Sequence, residues 1–279
     1  MIKSILLAID GSNYTESILK YGVDLAKKFD AHLRVLTVID IRIFEWAVAI
    51  GVEGFAPIIP STAYQEESQR LLEEKADKLL ERTSEVLKEA NVSFEIEKAS
   101  GSPVEIICDK CRLADLIVMG CRGEFGPWRD KMLGATLEAT SRLAIKPLLV
   151  TQKEYSSISH ILFAYDGSIN SNKAFPWVGA FAKQFDAKLT ILIVSADAES
   201  AERILKDSTN YLSNYDLSEI NTLIKEGDAE TKIVETAKEV KADLIIMGSY
   251  GHSRIREAIL GSTTVHVMRN ALVPILMVK

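Results

Sequence analysis

Gly248 and Gly251 open a segment that reads GSYGHSRIREAILGSTT, and nine residues after Gly251 comes the triplet Gly261-Ser262-Thr263. Glycine lets a backbone turn tightly and approach a ligand closely. Gly261-Ser262 begins a helix expected over residues 263–269, whose free N–H groups and dipole favour an anion. Ser262 can cap that helix or donate to a phosphate oxygen, and His252, Arg254 and Arg256 bring positive charge into the loop between. The chemistry is that of an anion cradle suited to a nucleotide's phosphate chain. It is neither G-x-x-x-x-G-K-[ST] nor G-x-G-x-x-G, neither of which occurs here. Glycines that only shape tight turns would look alike in isolation; the place of these, after a buried apolar run and before a helix, favours binding.

Other chemistry-bearing residues weigh less. Cys108 and Cys111 form C-x-x-C and Cys121 follows, a set open to metal ligation or redox exchange. Both of the first two fall in an expected helix over 103–113, where cysteines serve as small hydrophobes, so no metal is expected. His32, His160 and His266 lack metal-ligand spacing and read as structural. Asp10 and Asp166 each precede Gly-Ser, a sequence that makes a good strand-to-helix turn. No Ser/His/Asp set and no other catalytic constellation emerges from the spacing.

The elements that must position the cradle occur twice. ILLAIDGSNYTESILKYGVDLAKKFDAHLRVLTVID (residues 5–40) aligns without a gap on ILFAYDGSINSNKAFPWVGAFAKQFDAKLTILIVSA (161–196), and ADLIVMG (114–120) on ADLIIMG (242–248). The period is that of whole domains rather than a solenoid. Copies are expected over residues 1–153 and 159–279, joined by the polar stretch around residue 155. In the first copy, short apolar runs at 4–9, 33–39, 116–119 and 147–151 read as buried strands, with an edge strand at 92–97. Helical periodicity marks 15–29, 62–90, 103–113 and 136–144. Strand alternating with helix implies right-handed crossovers and a parallel sheet. Ligands of such sheets bind past the carboxyl ends of the strands, where strand order reverses. In the second copy those ends are Ala164-Tyr165-Asp166, Ile193-Val194 and Met247-Gly248. Each copy's last strand is free to pair with the other, giving an intramolecular dimer, and two chains could associate further.

Composition agrees. The 279 residues carry 33 basic and 39 acidic side chains for a net charge of −6, with 47% hydrophobic residues. That excludes disorder, and without a dense Lys/Arg run it makes nucleic acid a poor partner. No apolar run approaches the roughly 18 residues of a membrane span. Three cysteines, an odd number, and no signal-peptide pattern point to a cytoplasmic setting. Residues 41–60, with Phe44, Trp46 and Phe55, form an apolar insertion of the first copy, read as packing over the domains ahead of a partner or membrane-surface contact.

The strand-Asp-Gly-Ser start, the A-D-L-I-[VI]-M-G strand and G-x2-G-x9-G-[ST] together resemble the universal stress protein family, in its tandem form, over nearly the whole chain. The resemblance implies two open, five-stranded parallel α/β domains paired through their last strands, and binding of an adenine nucleotide, ATP or AMP/ADP, with Mg in some cases. By the same similarity Asp166 meets the ribose or a metal-bridged phosphate, with Ala164 and Tyr165 beside it. The Val194 backbone reads the adenine. Gly248, Gly251, Gly261, Ser262 and Thr263 hold the phosphates after Met247, and His252 sits over them. The first copy departs from the pattern. Its glycine loop, Gly120-x-x-Gly123, runs ten residues to Gly134-Ala135-Thr136, contains Pro127 and Trp128, and has lost the hydroxyl at Ala135. Asp10 and Val38 keep their places, so the expectation is one strong site and one weak or altered site. The implied role is a regulatory binding module. The alternatives are weak ATP hydrolysis and a nucleotide-independent or metal-responsive stress protein. A ligase of the wider adenine-nucleotide superfamily is disfavoured, since no S-G-G-x-D-S loop follows either first strand.

Overall fold

Two aspartates that the repeat preserves set the frame of each half. Asp115 Oδ2 accepts the backbone N–H groups of Lys3 (2.7 Å) and Ser4 (3.1 Å). Asp243 Oδ2 accepts those of Ser159 and His160, both at 3.0 Å, and the Ser159 hydroxyl at 2.6 Å. The start of each first strand is thereby clamped beside the start of the fourth, and charge-assisted bonds of this kind are the stronger ones. The computed structural model describes residues 2–40, 62–123, 132–249 and 260–279. The apolar insertion at 41–60, Pro127 and Trp128, and the loop residues Gly251, His252, Arg254 and Arg256 lie outside the described residues.

In the first half β1 (Ser4–Ala8), α1 (Thr15–Phe29), β2 (His32–Asp40), α2 (Thr62–Glu89), β3 (Phe94–Gly101), α3 (Pro103–Lys110), β4 (Leu116–Gly120), α4 (Ala135–Leu143) and β5 (Leu148–Thr151) follow in order. The second half runs β6 (His160–Ala164), a single turn α5 (Ile169–Asn172), α6 (Phe175–Phe185), β7 (Lys188–Val194), α7 (Ala198–Leu212), β8 (Ile220–Lys225), α8 (Ala229–Glu239), β9 (Leu244–Gly248), α9 (Ser262–Asn270) and β10 (Ile275–Val278). The helix expected over 103–113 stops at Lys110, and Cys111–Leu113 tightens into a 3-10 turn, a common way for a helix end to satisfy its last carbonyls.

The repeated Phe-Asp-Ala after the first helix also has a physical cause. Asp30 and Asp186 both adopt φ 52°, a left-handed conformation in which Asp is several-fold enriched. The next residue then closes the helix, with Ala31 N–H donating to Ala26 O (3.0 Å) and Ala187 N–H to Ala182 O (2.9 Å).

The strands form one sheet of ten in the order β3-β2-β1-β4-β5-β10-β9-β6-β7-β8. Neighbours within each half are parallel. The two last strands pair antiparallel, Leu149 opposite Leu276 and Val150 opposite Ile275, which is the intramolecular pairing anticipated from the repeat. Alternate side chains feed two cores that each run through both halves. Leu7, Val118, Leu149, Phe163, Ile246 and Leu276 belong to one face, and Leu6, Ile117, Leu148, Leu162, Ile245 and Met277 to the other. Because β-strand side chains alternate while both faces are covered, the strands read as continuous apolar runs. On the first face α1 meets α6 through Phe29 and Phe181 (ring centroids 5.3 Å), and the connecting segment is held to α1 by Tyr155 against Tyr21 (4.8 Å) and the Tyr155 hydroxyl on Asp24. Among the described residues no helix is long and apolar enough to cross a membrane.

A shared core predicts shared unfolding. Leu276 is fully buried at the seam, so Leu276→Ala is expected to cost about 2–5 kcal/mol. Urea denaturation followed by circular dichroism and by tryptophan fluorescence should show one coincident transition moved to lower denaturant. Two separate transitions would show that the halves unfold independently.

Candidate functional site

In the second half, strand order reverses between β6 and β9. The helices that follow these two strands cover opposite faces: Val178 and Phe181 of α6 pack on one core, Val267 and Met268 of α9 on the other. A crevice therefore opens past the carboxyl ends of the two strands, where Ala164 lies opposite Met247. The crevice holds a cavity of about 150 Å³. Its walls come from the end of β6 (Ala164, Tyr165, Asp166), the turn after it (Ser168, Asn170, Ser171), β7 (Leu192, Val194), the first two turns of α8 (Ala229, Ile233), the end of β9 (Met247, Gly248, Ser249) and the start of α9 (Gly261, Thr263, Thr264).

Of the residues expected from sequence, Ala164, Tyr165, Asp166, Val194, Met247, Gly248, Gly261 and Thr263 are brought together in this wall. Gly251 and His252 lie outside the described residues. Ser262 is exposed and is not among the wall residues. The helix starts one residue earlier than expected, so Ser262 is its first residue and Gly261 the cap, with no side-chain cap bond. The N-terminus of α9 therefore lies at the edge of the cavity, an arrangement that suits an anion.

Three features escaped the sequence reading. Ser168, Asn170 and Ser171 sit in the turn after Asp166, and the Asp-Gly-Ser signal pointed to a turn without showing that its serines face the cavity. Leu192, Ala229 and Ile233 supply an apolar side that only the packing of α8 over β7 reveals. Thr264, in the first turn of α9, is buried in the wall; its place as the fourth residue of Gly-Ser-Thr-Thr was the available signal.

Asp166 is the one carboxylate among the described wall residues. Its Oδ1 accepts from Ser168 N–H (2.9 Å) and from the Ser171 hydroxyl (2.6 Å). Burial pushes its carboxyl up, but the bonds from Ser171 and Ser168 outweigh that and hold it below the ordinary aspartate range. The group is therefore an ionised acceptor at neutral pH. The turn that presents it needs Gly167, whose φ is +74°, a value that L side chains adopt at a cost. Gly248 is required for a different reason. A Cβ there would lie 2.6 Å from Ser171 Cα and 2.7 Å from Ser171 N, inside backbone that cannot swing away.

The first half keeps part of this arrangement and changes the rest. Asp10 Oδ1 accepts Ser12 N–H (3.0 Å). Gly123 lies beside Asp10, since a Cβ on it would be 2.7 Å from Asp10 Oδ2, and a Cβ on Gly134 would lie 3.4 Å from Arg122 Cα and from Gly123 N. Val38 packs on the core near the end of β2, and Thr136 is in the first turn of α4. The difference is Tyr14, which stands where the second half has Asn170. Its side chain lies over Gly120, with Tyr14 Cβ 2.5 Å and Cγ 2.9 Å from the position a Cβ on that glycine would take, and it packs on both cores. Burial, then the neighbouring Cys121, push its phenol up to about 12. Cys121 and Leu137 replace Ser249 and Thr264, so two polar positions of the second half's wall are apolar here, while Asp10, Ser12, Thr15 and Thr136 keep polar side chains at theirs.

The thiols of Cys108, Cys111 and Cys121 are free, and burial raises the pKa of each, away from the thiolate that metal binding or redox exchange needs. Among the described residues no group of three His, Cys, Asp or Glu side chains could hold a metal ion. His32 bonds Ser93 (2.7 Å) and His160 bonds Thr190 (2.8 Å); His266 lies 3.7 Å from Glu230. None of the three is among the wall residues.

Gly248→Ala is expected to destabilise the chain by about 1–3 kcal/mol through overpacking. A thermal melt of the ligand-free protein checks this. An unchanged midpoint would mean that α5 is free to move off the glycine.

The family model described as the universal stress protein family matches residues 1–152 and again 157–279. A universal stress protein of Synechocystis is 30% identical over 292 residues, covering 99% of both chains. One from Mycobacterium tuberculosis is 23% identical, covering 99% of this chain and 96% of its own. Among solved structures, a universal stress protein from Archaeoglobus fulgidus superposes with a TM-score of 0.78 at 24% identity, covering 99% of this chain and 98% of that one.

Proposed function

Since the chain belongs to the universal stress protein family, we propose that its second half binds an adenine nucleotide, ATP first, and that the protein works as a nucleotide-responsive binding module. The observation that carries this reading is the cavity at the β6/β9 reversal, which joins an ionised carboxylate, the N-terminus of α9 and an apolar side. A nucleotide needs all three. The apolar side formed by Leu192, Val194, Ala229 and Ile233 suits a purine, with the Val194 backbone as its hydrogen-bonding edge. Asp166 suits the ribose hydroxyls. Gly248, Gly261, Thr263 and the first N–H groups of α9 suit the phosphates, and the resemblance to the family adds Gly251, His252 and Ser262 to that set.

Mg2+ would arrive with the triphosphate and neutralise its charge; with Asp166 as the single carboxylate of the described wall, the phosphate oxygens would supply most of its ligands. The first half is the weaker candidate, because Tyr14 lies over Gly120 and two polar positions of the wall have become Cys121 and Leu137. A nucleotide held between the end of β9 and the start of α9 would tie together both ends of the loop between them and so change the surface offered to a partner.

Two experiments test the reading. The purified protein is denatured and any released nucleotide identified by chromatography. ATP is then titrated against the wild type and against Gly261→Ala/Ser262→Ala by calorimetry. The wild type should bind, and the double variant should bind at least about tenfold more weakly, as expected for losing phosphate contacts worth some 1.5–3 kcal/mol. No adenine nucleotide released and none bound at millimolar concentration would overturn it. Phosphate release over hours on the same sample separates a binder from a slow hydrolase.

A further inference from the structure

We infer that Ser171 is the positioning residue of this site: its hydroxyl aims the Asp166 carboxylate so that it faces the ribose hydroxyls of a bound nucleotide. The inference rests on the nucleotide reading of the cavity. Ser171 is 4% exposed. Its Oγ is 2.6 Å from Asp166 Oδ1, shorter than its 3.0 Å contact with Ser168 O, and a hydroxyl donating to a carboxylate makes the stronger bond of the two. Ser168 N–H meets the same oxygen at 2.9 Å, so two donors converge on Oδ1 and fix the plane of the carboxylate.

Ser171 is itself held from two sides. Its N–H donates to Ser168 Oγ (3.1 Å), and its backbone lies against Gly248, where a Cβ would come within 2.6 Å. The aim of Asp166 is thereby referred to the end of β9, the strand that also carries the phosphate loop. The first half supplies an internal contrast. Thr15 occupies the matching position, and its Oγ1 accepts the Gly11 N–H (3.1 Å) instead. Among the described hydrogen bonds, the hydroxyl at this position meets the aspartate in the second half only. A serine serving only to cap its own turn would be satisfied by Ser168, with no contact to Asp166.

The test uses the full chain and two probes, ATP and 2′,3′-dideoxy-ATP, which differ only in the hydroxyls Asp166 is said to read. The wild type should prefer ATP by about tenfold or more. Ser171→Ala should cut that preference to within about threefold while leaving the dideoxy affinity within about twofold. Asp166→Asn should remove the preference, and Asp166→Asn/Ser171→Ala should match Asp166→Asn alone, because a residue acting through another adds nothing once that other is gone. Ser171→Cys, similar in size and a weaker donor, should show the same direction and serves if the alanine variant does not fold. Wild-type preference retained in the Ser171 variants, or an equal loss for both probes, overturns the positioning role and leaves the nucleotide reading standing. A wild type that binds neither probe overturns both.

Discussion

The reversal of strand order between β6 and β9 is the constraint on which the rest of the second half depends. Two parallel neighbours send their following helices to opposite faces of the sheet, and the space past their ends cannot be filled by either helix. Everything at the site is an answer to that gap. Gly167 lets the chain turn sharply after β6 and present Asp166 at its edge. Gly248 lets α5 come close enough to β9 for Ser171 to reach Asp166. Gly261 lets α9 start at the edge of the cavity. The architecture and three glycines shape the crevice, and Asp166 with the serines and threonines of its wall gives it polarity.

The same reversal exists in the first half, so the inequality of the halves is a matter of side chains. Tyr14 for Asn170 lays an aromatic ring over the glycine turn. Cys121 for Ser249 and Leu137 for Thr264 turn hydrogen-bonding positions into core. These exchanges extend an apolar cluster that the sheet already shares between halves, and burial of such groups stabilises by roughly 1.5–3 kcal/mol for a whole side chain. The first half has gained packing where the second keeps polar groups in the cavity wall. The antiparallel pairing of β5 with β10 places these two unlike halves in one sheet.

Much of this was legible in the sequence for a physical reason. Strands buried on both faces are continuous apolar runs, and helices between them keep a separate period, so β1, β4, β5 and α1 were bounded to within a residue or two. The repeat then carried those assignments to the second half and marked the glycine loop that differs. What was not legible depends on packing between elements. Ser171 is an ordinary serine until α5 is seen against Gly248. Tyr14 reads as one more residue of the turn before α1 until its ring is found over Gly120. Asp115 and Asp243, prominent in the repeated strand motif, turn out to hold the starts of β1 and β6, a role that a count of chemistry-bearing residues would miss.

The central claim is that one chain presents one nucleotide site, in its second half. The most direct measurement is the stoichiometry of radiolabelled ATP bound per chain at saturation by equilibrium dialysis. The account predicts one, falling to none in the Gly261→Ala/Ser262→Ala variant at the same free ATP. Two equivalent sites per chain, or one site that survives those substitutions, would contradict it.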